Sequence, residues 1–81
     1  MNAVAETILD VFLSTGFTGD VCTWFIEENP DYNLPMLFVE FRANDKLHVI
    51  CGLVPEKLAL EGIKELSARY KMVRIDNSTV Q

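Results

Sequence analysis

The stretch MLFVEFRANDKLHVICGL, Met36 to Leu53, decides how this chain folds. Two runs rich in β-branched and aromatic residues, Met36 to Arg42 and Lys46 to Leu53, flank Asn44-Asp45, a pair suited to a tight turn. The pattern predicts a β-hairpin. Working backwards, Asn29-Pro30-Asp31-Tyr32-Asn33 is turn chemistry, because Pro fixes φ while Asn and Asp bond their own backbone. Before it, Val21 to Glu28 reads as another strand. Three successive strands with short connections predict an antiparallel meander.

On either side of the meander the apolar period changes. Between Ala3 and Thr15, Val4, Ile8, Val11 and Phe12 recur at helical spacing, with Ala5, Leu9 and Leu13 beside them. Asn2 supplies an N-cap and Gly16 a stop. Pro55 opens a second helix at its first turn, where the missing N–H costs nothing. Ala59, Ile63, Leu66 and Tyr70 share one face of that helix, with Glu56 near its positive end and Arg69 and Lys71 near its negative end. Met72 to Asp76 reads as a short fourth strand. The expected class is therefore α+β, in the order α-β-β-β-α-β. It has an antiparallel three-strand meander plus a short fourth strand, with two helices packed mainly on one face. Residues 1–76 make a single α+β domain and residues 77–81 a frayed C-terminal tail.

Composition narrows the function. Eighty-one residues leave room for one domain. With 49% hydrophobic residues and a mean hydropathy of +0.16, the chain is no disordered segment. A formal charge of −5 argues against nucleic acid or an anionic membrane as partner, since phosphate binding needs clustered Lys and Arg. No run approaches the ~18 residues that span a bilayer. The first 13 residues lack the basic start and uninterrupted apolar run of a secretory signal, so a cytoplasmic location with reduced thiols is expected. A domain this small buries only ~60% of its unfolded surface. Two cysteines and one histidine provide neither a disulfide scaffold nor a His-based metal site, and no cofactor is implied. Homodimerisation is the expected compensation.

Charge is also unevenly placed. The first 41 residues hold seven acids and no Lys or Arg, whereas the remaining 40 hold five acids and all seven bases. Asp20, Glu27, Glu28, Asp31 and Glu40 form an expected acidic surface for a basic protein partner. The acids around the first turn lack the spaced ligands and central Gly of a Ca²⁺ loop. Arg69, Lys71 and Arg74 are the basic concentration, read as complementing the helix terminus or an acidic neighbour.

Strand alternation leaves apolar side chains in both directions. Leu37, Val39 and Phe41 oppose Met36 and Phe38; Cys22, Trp24 and Ile26 oppose Val21, Thr23 and Phe25; Leu47, Val49, Cys51 and Leu53 oppose His48 and Ile50. A sheet with one watery face alternates cleanly, and this one does not. Either one helix covers each face, or both cover one face and a second chain meets the other. The second arrangement is expected, because helices flanking a meander pack on its same side. Trp24, Phe25, Met36, Phe38, His48 and Ile50 are the residues assigned to that interface. The competing reading covers them with the first helix.

No catalytic residue is assigned. His48, with Glu40 or Thr23 to orient it, is the single candidate base, but no nucleophile motif accompanies it. Cys22 and Cys51 read as buried free thiols. The element order and acidity resemble the core of type III secretion chaperone-like proteins over residues 3–76. The family's further strand and final helix have no counterpart here. That resemblance implies a dimer that binds a partner polypeptide along an apolar surface. The expected function is a non-enzymatic adaptor, chaperone-like or inhibitor domain acting as a homodimer. The alternative is a small-ligand module with an apolar pocket between helix and sheet, and a weak activity at His48.

Overall fold

The computed structural model describes residues 1–75; Asp76 and the tail 77–81 lie outside the described residues. The elements are α1 (Ala3–Thr15), β1 (Val21–Glu27), β2 (Met36–Ala43), β3 (Lys46–Leu53), α2 (Glu56–Leu66) and β4 (Lys71–Arg74). The chain is α+β, in the expected order. Its four-stranded sheet runs β3-β2-β1-β4, antiparallel through the meander and parallel where β4 joins β1.

The hairpin between β2 and β3 sets the register. Ala43 lies opposite Lys46, leaving a two-residue loop. Asn44 and Asp45 both take positive φ, 54° and 63°, which is the type I′ geometry that matches strand twist. The turn also holds the first helix, because the Asn44 side-chain amide donates to the Thr15 carbonyl at 2.9 Å.

Both ends of α1 are closed by local chemistry. Asn2 Oδ1 accepts the Val4 and Ala5 backbone N–H groups at 2.7 and 3.2 Å, donors that the first turn leaves unpaired. At the other end Gly16 adopts φ 75°, and the Phe17 and Gly16 N–H groups return to the Phe12 and Leu13 carbonyls. The rings of Phe12 and Phe17, 4.7 Å apart, seal that terminus. Asn2 also bridges the helices, donating from Nδ2 to the Leu58 carbonyl and from its backbone N–H to Glu65 Oε1.

One core results. Ile8 and Phe12 of α1 and Ala59, Ile63 and Leu66 of α2 pack with Cys22 and Trp24 of β1 and Leu37, Val39 and Phe41 of β2. All the sheet residues in this set share one face, so both helices lie on that side. Phe12 is its centre, with Phe17, Phe41 and Tyr70 rings within 5.0 Å. The molecule measures 35 × 32 × 19 Å. Its least dimension fits one sheet and one layer of helices, each about 10 Å deep.

Candidate functional site

Among the described residues no helix covers the sheet face turned away from α1 and α2, on which Phe25, Met36 and Phe38 are half-buried by their neighbours. Across it run rows of opposed residues. Phe25, Phe38 and Cys51 make one, and Glu27, Met36 and Leu53 another; Val73, Thr23, Glu40 and Val49 make a third. The Phe25 and Phe38 rings stack at 4.6 Å, only 13° from parallel. Cross-strand aromatic pairs of this kind stabilise a sheet even when one side of each ring is wet. Leu47 is 57% exposed, Val49 51% and Leu53 41%, so the apolar surface widens towards β3. Two acids and two bases interrupt it: Glu27 and Glu40, Arg42 and Lys71.

The six residues assigned to one interface are divided by the sheet. Phe25, Met36 and Phe38 are on the open face. Trp24, His48 and Ile50 are on the helix side, where Trp24 pairs with Val39, Ile50 with Val39 from the other edge, and His48 with Phe41. Adjacent strand residues such as Trp24 and Phe25 cannot share a face. For β3 the reason is the turn: a two-residue loop pairs even-numbered with odd-numbered residues, bringing Leu47, Val49, Cys51 and Leu53 to the side of Met36 and Phe38. The open face therefore contains four β3 residues absent from the assigned set.

His48 lies apart from the groups expected to orient it. Its ring stacks on Phe41 at 5.2 Å, and Nε2 lies 3.2 Å from the Ala43 carbonyl. Glu40 and Thr23, the expected orienting groups, are on the opposite face. The two cysteines differ from their common expectation. Cys22 is buried, its thiol pushed up to about 11 by burial first and by the Asp20 charge second. Cys51 is exposed on the open face, so only one of the two is a buried thiol.

The charged groups are spread out. Glu27, Glu28 and Asp31 gather at the β1–β2 loop, but Asp20 sits at the other end of β1, ~20 Å away at about 3.3 Å per residue. Glu40 is mid-sheet. The five acids do not form the single surface expected of them. Among the basic residues, Arg74 places its guanidinium 5.0 Å over the Trp24 ring on the helix side, while Lys71 opens β4 on the other. Among the described residues, no three potential metal ligands come together and no helix is long and apolar enough to cross a membrane.

A second concavity lies between α1 and the β2–β3 pair. It is an apolar cleft of about 250 Å³ walled by Val4, Ile8, Leu37, Val39, Ile50 and Val54. His48 is not part of it.

Comparison with protein-family models gave no match, and neither curated proteins nor solved structures showed a significant similarity to this chain.

Proposed function

We propose that this chain is a non-enzymatic protein-binding module that acts as a homodimer, with the open sheet face as its docking surface. One observation carries the reading: a largely apolar face, including a stacked Phe25–Phe38 pair, that no helix covers among the described residues. Four strands about 4.8 Å apart, by about seven residues, present about 400 Å² in projection. That is within the ~300–600 Å² of the largest patches on monomeric proteins, which are often functional. Two such faces together bury about 800 Å² in projection, the small end of the scale for protein interfaces.

The charges favour a second copy as occupant. The face carries two acids and two bases, so two copies can oppose Glu40 to Arg42 without net repulsion. A basic protein partner suits a different place, the loop bearing Glu28 and Asp31. A cytoplasmic setting fits the thiols, since Cys22 and Cys51 lie on opposite faces and cannot bond within the chain.

Light scattering at micromolar concentration tests the reading. The wild-type mass should be at least twice 9.2 kDa. Phe38→Asp, which leaves the buried core untouched, should halve whatever mass is found. An unchanged mass in a folded variant rejects the contact.

The cleft supports a second reading, a site for a small apolar ligand. Its volume is slightly below the ~300 Å³ at which drug-sized pockets begin. Native mass spectrometry showing a retained small molecule would favour it. A mass equal to that of the bare chain would count against it.

A further inference from the structure

The two margins of the sheet are unlike. β4 is four residues long and carries Lys71 and Arg74, the short, charged form with which proteins protect an edge. β3 is eight residues long, with Lys46 its only full charge and no proline. It has neither protection.

Its free hydrogen-bonding groups follow from the register. The Val54 N–H donates to the Pro35 carbonyl at 3.1 Å, and the two-residue turn makes Ala43 and Lys46 a bonded pair. Antiparallel pairs alternate between bonded and non-bonded, so Lys46, His48, Ile50 and Gly52 direct their backbone groups at β2. Leu47, Val49, Cys51 and Leu53 direct theirs outward. These are also the residues whose side chains lie on the open face. An added Cβ at Gly52 would meet nothing within 4 Å, so the strand's end is open on the helix side as well.

We infer that the outer edge of β3 pairs antiparallel with β3 of a second copy, about a two-fold axis through Ile50. One register uses all four outward residues: Leu47 opposite Leu53 of the second copy, and Val49 opposite its Cys51. It forms up to eight backbone hydrogen bonds and opposes apolar to apolar at each of the four outward positions. Charge agrees with it. Lys46 falls opposite Val54 of the second copy, two residues from the Glu56 that opens its α2, and no like charges oppose. A parallel arrangement would set Lys46 against itself. The axis stands perpendicular to the sheet, so both open faces look the same way and form one continuous surface. This contact is additional to the face-to-face dimer, whose axis lies in the plane of the sheet. Used together, perpendicular intersecting axes close at four copies.

Substitutions separate the two contacts. Val49→Pro removes an N–H that β2 does not use, at an edge position where proline is tolerated. In the Phe38→Asp background the edge contact predicts a mass near 18 kDa, twice 9.2 kDa, and adding Val49→Pro should halve it. A 9.2 kDa monomer in Phe38→Asp alone overturns the edge pairing. So does a dimer that survives both changes. A wild-type dimer unaffected by Phe38→Asp but halved by Val49→Pro would instead reject the face contact and keep the edge.

A second measurement does not depend on tolerance of proline. Ile50 would face its own copy in a non-bonded pair, with Cα atoms ~4.5 Å apart, within disulfide range. Ile50→Cys with Cys51→Ser should oxidise to a reducible double-mass species in dilute solution. Position 50 lies on the helix side, out of reach of the face contact. A variant that stays single under oxidant overturns the register.

Discussion

Gly62 shows how little room the helix pair leaves. A methyl group there would lie 3.0 Å from Asn2 Oδ1 and 3.0 Å from the Val4 side chain. Asn2 cannot easily yield, since it caps α1 and bonds α2 at the same time. Gly62→Ala gains up to ~1 kcal/mol of helix propensity. Overpacking a close contact costs about 1–3 kcal/mol. A net loss of about 1 kcal/mol should appear in urea unfolding. Cys22 makes a pH-dependent contribution. An unfolded cysteine ionises near 9.0, whereas in the native core the thiol is held up to about 11 by burial and Asp20. Between those values the unfolded chain releases a proton that the folded chain keeps, which favours unfolding. The stabilisation is full below pH 9 and is lost as pH climbs towards 11. Urea midpoints at pH 8 and pH 10 should fall further in wild type than in Cys22→Ala.

The elements show which signals could be read from residue order. α1 was legible at both ends because Asn2 and Gly16 are capping residues whose geometry is local. β3 was bounded by its turn and by Pro55 for the same reason. The grouping of the candidate interface failed for a physical cause that was also present in the sequence. A turn of two residues determines which β3 side chains accompany Met36 and Phe38, and counting apolar residues strand by strand ignores it. The place of β4 was not legible at all. Four residues hold no preference for one edge over another, and their pairing with β1 follows from the path of α2 across the sheet. The turn offers a test of the same geometry. Asp45 bears a left-handed φ of 63°, which glycine adopts without a Cβ penalty. Asp45→Gly should raise stability by about 0.5 kcal/mol in urea unfolding, with Asn44 still bonded to Thr15. A destabilised variant would contradict the type I′ assignment.

At the scale of the whole molecule, stability and association are linked. A domain of this size has a shallow reserve, and any contact made by the native state alone adds to it in proportion to protein concentration. The thermal midpoint of the wild type should therefore climb over a hundredfold dilution series. In Phe38→Asp the climb should be weaker. Equal slopes in both proteins would mean the open face takes no part in assembly. Trp24, the chain's only tryptophan, lies 6% exposed under Arg74, so its emission follows the core directly in these experiments.

The contrast between the sheet's margins has a consequence for growth. Cross-β fibrils lengthen because every layer offers a fresh template on both sides. Here the Lys71–Arg74 border is a short, charged edge, so the β3 pairing inferred above uses up the one long, unprotected edge among the described residues. On the pairing inferred above, growth in that direction stops at two copies.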